Sequence, residues 1–359
     1  MKKNFSAILI FTLIMSLVAC SADGADTDAD KEFAGQTLVV CNWGEYISDG
    51  EDGYMDVVAE FEKRTGATVE YVTADTNESL YAKLKSGAAD YDVIFPSDYL
   101  VEKLIKEDIL AKIDFDNIPN MKNIMSDFLN PDYDPTGEYS VPYFWGTVGI
   151  IYNSDMVDGE ITSWDDMWSD NYPNQILMFD NPRDAFAIAL NKLGYSMNST
   201  NEDEWRKAAE ELKKQKFVYV MDDFFQKMPT GNAAIGVYYA GDYLAVAEEN
   251  EALEFVRPES GTNIFNDAMC IPKTASNKRL AEAFINFMLE PDVGLANTEY
   301  LGYSTPNKAV YDLLDDEIKN DEISYPSEQP ENWEHFRLLP DNINELMQQL
   351  WTEIKSENK

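Results

Sequence analysis

Short apolar runs alternate with amphipathic stretches along most of the chain, which is the pattern of strands alternating with helices. In the first part of the chain, strands are predicted at 37–42, 68–73 and 91–95. A helix is predicted after each of them: the first covers 54–64 and stops at Gly66, the second begins at Asn77 as its N-cap and ends at Gly87, and the third reaches Leu110. Three consecutive strand–helix units predict a parallel sheet with helices on both faces.

A second series of strands and helices follows residue 142. Strands are predicted at 147–152, 175–179, 217–221, 234–239 and 266–271, and helices near 183–194, 202–214, 278–289 and 341–356. Because the chain exceeds one comfortable hydrophobic core, we expect two lobes, 36–141 with 267–307 and 142–266 with 308–359. The expected fold class is α/β, with each lobe a mostly parallel sheet covered by helices on both faces. Such sheets bind ligands at the carboxyl ends of their strands, here in the cleft between the lobes.

The N-terminal segment predicts export and a lipid anchor. Two lysines precede an apolar run over 7–18 that is too short to span a membrane, and the sequence Leu-Val-Ala-Cys ending at Cys20 has the pattern of a lipobox. We expect a signal peptide over 1–19, lipidation of Cys20 and a flexible acidic tether over 20–35. The mature protein would then be extracytoplasmic, at the cell surface or in the periplasm, and held to the cell membrane by its lipid. An ordinary cleaved signal with an incidental cysteine is the alternative.

Charge and missing motifs exclude several classes of function. The formal net charge is −38, so nucleic acid is a poor partner and a cationic ligand a good one. His335 is the only histidine, and the sequence has no P-loop, no dinucleotide-binding glycine pattern and no Cys/His zinc spacing. Residues 132–137 imitate the start of a calcium loop, but Tyr143 occupies the position of its last glutamate. We therefore expect no catalytic residues, no cofactor and no metal site. Cys41 and Cys270 lie in apolar strands, where buried free thiols are expected and a disulfide is the alternative.

Aromatic and acidic side chains recur together just after the predicted strands. They lie at 43–46, 97–99, 180–184, 238–242, 265–267 and 302–303. For any single residue, packing on its own lobe is an equal alternative. Together they predict an organic ammonium ligand, because a cation over a ring gains about 0.5–2 kcal/mol. A charge-assisted hydrogen bond to a carboxylate adds about 1.5–3 kcal/mol.

A series of motifs in order carries a resemblance to a known family. The motifs are NWGEY at 42–46, NE and YAKL within 77–84, PSDY at 96–99, PYFWGT at 142–147, TSW at 162–164, KLGYS at 192–196, INFML at 285–289 and GYSTPN at 302–307. From Leu38 to Trp351 the chain resembles the spermidine/putrescine-binding lipoproteins of ABC importers. The resemblance implies a periplasmic-binding-protein fold, type II-like, whose lobes close over a polyamine about a hinge. It also implies an ABC importer permease as partner, and we expect a monomer.

The resemblance also implies a set of ligand-binding residues. They are Trp43, Gly44, Tyr46, Ser97, Asp98, Tyr99, Asn181, Asp184, Tyr239, Phe265, Asp267, Tyr303 and Glu334. Trp43 and Tyr46 match rings that flank the methylene chain of the ligand. Asp184 and Asp267 match carboxylates that grip ammonium groups.

Some of these positions depart from the family's spermidine-binding pattern. Gly44 stands where a hydroxyl can occur, and Tyr239 and Phe265 stand where tryptophans are usual. Asn181 replaces an aspartate, which favours putrescine or mixed specificity, whereas Glu334 could restore the missing charge and favour spermidine. The sequence does not rank these two effects.

Other functions remain as alternatives. A receptor of the same architecture could bind another small cation or a metal ion through tyrosines and carboxylates. A secreted carbohydrate-active enzyme also places carboxylate pairs beside aromatic rings. A receptor for a quaternary ammonium compound would need an aromatic box with few acids, and the abundance of acids argues against it.

Overall fold

The computed structural model describes residues 31–357. The predicted signal peptide 1–19, the predicted lipidation site Cys20 and most of the predicted tether 20–35 lie outside the described residues. None of the helices within 31–357 is long and apolar enough to cross a membrane.

The described chain alternates strands with helices. The strands are β1 Thr37–Asn42, β2 Thr68–Thr73, β3 Val93–Ile94, β4 Ser140–Asn153, β5 Ile176–Phe179, β6 Val218–Val220, β7 Ile235–Tyr239, β8 Leu253–Val256 and β9 Ile264–Cys270. The helices are α1 Val57–Thr65, α2 Asn77–Ser86, α3 Asp98–Lys106, α4 Pro182–Lys192, α5 Glu202–Lys214, α6 Phe224–Lys227, α7 Ala240–Glu249, α8 Lys278–Met288, α9 Pro291–Leu301, α10 Lys308–Tyr311, α11 Asp316–Lys319 and α12 Asp341–Glu357.

The strands pair in the order β2-β1-β3-β9-β4-β7-β5-β6, and β8 pairs with β4. β1 is parallel to β2 and β3, and β5 is parallel to β6 and β7, as predicted for both halves. The antiparallel pair β4 and β9 joins the two parallel groups. The carboxyl ends of the parallel strands lead into the loops and helix N-termini that carry the predicted site residues.

β4 is longer than the predicted strand 147–152. All 14 of its residues are buried. The strand is long enough to run through both of the hydrophobic cores described below. The pairing of β4 with β9 shifts register between Pro142 and Phe144, and this irregularity accommodates a proline that cannot donate to the ladder. Residues 141 and 142, where we predicted a crossing between lobes, therefore lie inside a strand.

Two large hydrophobic cores share this long strand. Val141 and Phe144 pack in one core with β1, β3, β9 and α8. Val148 and Ile150 pack in the other with β5, β7, α5 and α12. Each core therefore covers one of the two parallel groups of strands.

The start of α2 differs from the prediction. Thr76, not Asn77, is its N-cap: the Thr76 hydroxyl accepts from the Ser79 amide, and the Ser79 hydroxyl accepts from the Thr76 amide. The Asn77 side chain instead donates to the Ser97 hydroxyl over 3.0 Å and accepts from the Ser97 amide. Asn77 thereby fixes Ser97 at the N-cap of α3.

Several elements had no counterpart in the sequence prediction. Pro291, two residues after the predicted helix 278–289, begins α9; its missing N–H is a donor that the first helical turn leaves unpaired in any case. β8 and α7 were also not predicted. The two cysteines are free and buried, as expected. They flank Ile94 of β3, which pairs with Cys41 on one side and Cys270 on the other.

Candidate functional site

A cavity of about 530 Å³ lies at the carboxyl ends of the parallel strands. Its lining residues are Trp43, Gly44, Glu45, Tyr46, Thr73, Ala74, Asp75, Thr76, Asn77, Ser79, Ser97, Tyr99, Asp180, Asn181, Asp184, Met221, Asp222, Phe225, Tyr238, Tyr239, Asp242, Asn263, Phe265, Asp267, Tyr303 and Phe336. The two halves of the sheet both contribute, so the cavity lies between the two cores.

Most of the predicted ligand-binding residues line this cavity. They are Trp43, Gly44, Tyr46, Ser97, Tyr99, Asn181, Asp184, Tyr239, Phe265, Asp267 and Tyr303. The loop after β1, the N-termini of α3, α4 and α7, strand β9 and the end of α9 carry them. The clustering follows from the parallel sheets, in which the carboxyl ends of neighbouring strands meet at one edge.

Two predicted residues do not line the cavity. The Asp98 carboxylate is buried and accepts from the Tyr99 amide, and its other oxygen lies 3.5 Å from His335 Nδ1. The Glu334 carboxylate accepts from Ser196 Oγ over 2.6 Å and from the Asn198 amide group over 3.1 Å. Hydrogen bonds to Ser196 and Asn198 thus hold the Glu334 carboxylate outside the cavity lining, whereas Oδ2 of Asp98 is buried without a hydrogen-bond partner among the described residues.

Asp267 presents an unpartnered carboxylate oxygen. One oxygen accepts from the Tyr46 hydroxyl over 2.8 Å, whereas buried Oδ1 has no hydrogen-bond partner among the described residues. The side chain is 5% exposed, and burial raises its pKa to about 7. The nearby Ser97 side chain and the Tyr46 hydroxyl lower this pKa in part. A buried acceptor without a hydrogen bond is unfavourable by about 1–3 kcal/mol, more for a charged group, so a ligand donor that reached Oδ1 would be stabilising.

Asp184 and Asp242 occupy the first turns of α4 and α7. The partial positive charge of each helix N-terminus favours a carboxylate there. Burial nevertheless raises the pKa of each to about 7. The Tyr303 hydroxyl donates to Asp242 over 2.9 Å and links the end of α9 to the start of α7. Gly241 permits this approach, since a Cβ there would lie 2.5 Å from the Tyr303 ring.

The cavity wall is acidic and aromatic. Its carboxyl side chains are Glu45, Asp75, Asp180, Asp184, Asp222, Asp242 and Asp267, and its lining contains no lysine or arginine. Ring contacts order the aromatic part: Tyr46 meets Tyr303 edge-on at 5.0 Å, and Tyr239 meets Phe265 edge-on at 5.3 Å. A wall of this kind suits a cation with an apolar body.

The predicted set omitted some cavity residues. Asp242 belongs to the strand-end group 238–242 but not to the set implied by the resemblance, and Asp222, two residues after β6, belongs to neither. Phe336 belongs to the C-terminal segment and carried no such signal. Within residues 31–357, no group of three or more His, Cys, Asp or Glu side chains could hold a metal ion.

Comparisons with known proteins give the chain a family. The sequence model of the family described as bacterial extracellular solute-binding protein matches residues 56–325. The chain is 38% identical over 334 residues to the spermidine/putrescine-binding periplasmic protein of Salmonella typhimurium, with 91% of each protein covered.

Two solved structures are similar over nearly their whole length. The spermidine/putrescine ABC transporter substrate-binding protein of Streptococcus pneumoniae is 39% identical, with a TM-score of 0.74 over 90% of this chain and 100% of that one. A putative spermidine/putrescine ABC transporter from Listeria monocytogenes is 37% identical, with a TM-score of 0.84 over 89% of this chain and 99% of that one. These findings confirm the family resemblance read from the sequence motifs and the two-lobed α/β fold.

Proposed function

Because this chain belongs to the family of bacterial extracellular solute-binding proteins, we propose that it captures a polyamine, putrescine or spermidine, and delivers it to an ABC importer. Its family binds solutes and does not transform them, so the chain is not an enzyme.

The observation that carries this proposal is the unpartnered Oδ1 of Asp267. It is a buried acceptor in a cavity wall that carries six other carboxyl side chains and no lysine or arginine. An ammonium group brings several donors and a positive charge, and therefore satisfies this oxygen and compensates the carboxylate together. A neutral sugar would supply donors but no charge, which makes the carbohydrate alternative weaker.

The aromatic rings favour a ligand with methylene groups between its charges. Trp43, Tyr46 and Tyr303 supply faces and edges on which an alkyl chain loses contact with water. Each buried CH₂ contributes about 0.8 kcal/mol. A bare metal ion would leave these rings without a role, so an organic diamine or triamine uses more of the wall.

We further propose that the cavity residues predicted from the resemblance contact the ligand, with Asp242 and Asp222 added. Glu334 is bonded to Ser196 and Asn198, so it is a poor candidate for the third ammonium of spermidine. Asn181 caps α4 by accepting from the Arg183 amide, which an aspartate would do equally well. Position 181 is therefore open to charge without loss of the helix start, and we expect it to tune the choice between the two amines.

The lipid anchor on Cys20, a monomeric state and closure of the lobes belong to the same proposal. The lipobox pattern supports the anchor, and the two cores joined by β4 and β9 support relative motion of the lobes.

Native mass spectrometry of the purified protein and calorimetry test the proposed function. We expect a co-purified mass of putrescine or spermidine, and heats of binding for these amines but not for sugars or metal ions. A chain that binds a metal ion or a sugar and neither amine would contradict the proposal. Acetylated putrescine is the matched control, because it keeps the chain and loses one charge.

A further inference from the structure

Arg183 is a buried cation directly behind the cavity. It lies on α4 between two cavity residues, Asn181 and Asp184, and is 1% exposed. Its guanidinium lies 4.2 Å from the centre of the Phe336 ring and 5.8 Å from that of Tyr99. Both rings line the cavity, so a single layer of aromatic side chains separates this cation from the ligand space.

The hydrogen bonds of Arg183 go only to neutral oxygens. One terminal nitrogen donates to the Met197 carbonyl over 2.7 Å. The other donates to Asn198 Oδ1 over 2.7 Å and to the Arg337 carbonyl over 3.4 Å. Nε has no hydrogen-bond partner among the described residues. Within 31–357, no carboxylate lies close enough to form a salt bridge with this guanidinium, although an unpaired buried charge is costly.

The charges facing Arg183 belong to the cavity and its border. Asp184 lies on the same helix, Glu78 on α2, and Asp98 with Tyr99 on α3, while the C-terminal segment brings His335 beside Asp98. Glu78 is itself nearly buried, accepts from the Tyr99 hydroxyl over 3.2 Å, and keeps its second oxygen unpartnered. Among the described residues, Arg183 is therefore the one buried cation in this group of acids. Without it, the charge of the ligand alone would have to compensate the negative charges of the group.

We propose that Arg183 is a positioning residue of the ammonium site: it braces the Tyr99 and Phe336 rings from behind, and its charge favours the ionised form of the neighbouring Asp184 carboxylate, which the ligand requires. This inference rests on the polyamine capture proposed above. Asn198 completes the brace, because its oxygen accepts from both Arg183 and the Arg337 amide and thereby ties the C-terminal segment to α4.

The charge effect has a definite sign. Burial, helped by the charges of Glu78 and Asp98, raises the pKa of Asp184 to about 7, and the Arg183 charge opposes this rise. Without the Arg183 charge, Asp184 would hold its proton to a pH above 7, so the added cost of ionising it on binding would be largest below neutral pH and would fade at pH values above the new pKa. Above that range Asp184 is ionised in either case, and the guanidinium only repels the incoming cation. Loss of the charge should therefore weaken binding at low pH and leave it nearly unchanged, or slightly stronger, at high pH.

The test is calorimetry of putrescine and spermidine with the mature protein between pH 6 and pH 8, comparing Arg183→Gln with Arg183→Lys. We expect Arg183→Gln to lose about tenfold more affinity at pH 6 than at pH 8. Arg183→Lys keeps the charge and loses the planar surface that stacks on Phe336, so its affinity should fall by the same factor at every pH.

A matched control is Arg257→Gln. Arg257 also lies over aromatic rings and donates to Thr147 and to the Glu322 carbonyl, but neither it nor these partners line the cavity. Its substitution should lower thermal stability without altering the pH profile. A profile for Arg183→Gln that runs parallel to wild type would overturn the inference. If Arg183→Gln does not fold, Arg183→Lys provides the test instead. A pH profile of affinity for Arg183→Lys that is not parallel to that of wild type would then overturn the inference.

Failure of the proposed function gives a different result. A wild-type protein that binds neither amine would overturn polyamine capture and this inference together. Intact binding by wild type with parallel pH profiles would overturn the role of Arg183 alone.

Discussion

Replacing Asp267 with asparagine should change binding and stability in opposite directions. The asparagine keeps the shape of the side chain and an oxygen that accepts from the Tyr46 hydroxyl, but it removes the charge. Removing one partner of a buried charge pair costs about 2–5 kcal/mol, so the dissociation constant for a polyamine should rise by about thirtyfold or more.

The ligand-free variant should nevertheless be more stable than wild type. Burial raises the pKa of Asp267 in the folded protein to about 7, well above the ordinary aspartate value of 3.8. The stability associated with this group is therefore fully present below pH 4 and is lost as pH rises through 7. Each pH unit between the two pKa values corresponds to about 1.4 kcal/mol, so the full difference is on the order of 4 kcal/mol. Asparagine does not titrate and escapes this loss.

Calorimetry with putrescine and spermidine measures the first effect, and thermal unfolding of the ligand-free proteins between pH 4 and pH 8 measures the second. The gap in melting temperature between Asp267→Asn and wild type should widen up to about pH 7 and then stay constant. Asp134→Asn is the matched control, because Asp134 is an equally buried aspartate whose side chain does not line the cavity.

Two results would refute this reasoning. A loss of affinity below about 0.5 kcal/mol, the size expected for an exposed ion pair, would place Asp267 outside the ligand contacts. A melting temperature that responds to pH identically in variant and wild type would mean that the carboxyl group is not desolvated in the ligand-free protein.

Three further predictions concern the ligand and the lobes. Trp43→Ala should weaken binding of a long diamine more than binding of a short one, by about 0.8 kcal/mol per methylene that loses its contact, whereas Trp43→Phe should largely preserve binding. Calorimetry over a series of diamines checks this prediction, and equal losses of affinity for all lengths would contradict it. Asn181→Asp should raise the ratio of spermidine to putrescine affinity, about tenfold for each 1.4 kcal/mol of new charge pairing, and an unmoved ratio would mean that the third nitrogen lies elsewhere. Small-angle scattering should show a smaller radius of gyration with saturating polyamine, and an unchanged radius would argue against closure.

Strand ends were predictable from the sequence because they depend on local pattern. Trp43 and Asp184 follow apolar strands at 37–42 and 175–179, and parallel strands bring such positions to one edge whatever the details of packing. The family resemblance then narrowed the ligand class. The strand-end group already contained Asp242, which the resemblance did not imply, and the same criterion applied after the predicted strand 217–221 would have included Asp222.

Other features depend on contacts between residues distant in sequence. Glu334 finds Ser196 and Asn198 more than a hundred residues away, and no local pattern reports that pairing. The length of β4 was missed for a related reason: Pro142 predicts a break in an isolated strand, whereas pairing with β9 absorbs it in an irregular register. The role of Arg183 is likewise invisible in sequence, since the rings that it stacks on come from α3 and from the C-terminal segment.

Buried acids explain how this cavity could combine affinity with selectivity for charge. Asp184, Asp242 and Asp267 all have a pKa raised to about 7 by burial, so a ligand-free protein at neutral pH holds these groups partly protonated. An ammonium ligand ionises them and releases protons, which makes binding weaken as pH falls below 7. A monoamine would compensate one carboxylate and leave the others desolvated without a partner. The difference in binding affinity between a monoamine and a diamine therefore grows with every acid in the cavity wall. Selectivity for several charges thus arises from the carboxylates a ligand fails to reach as much as from those it contacts.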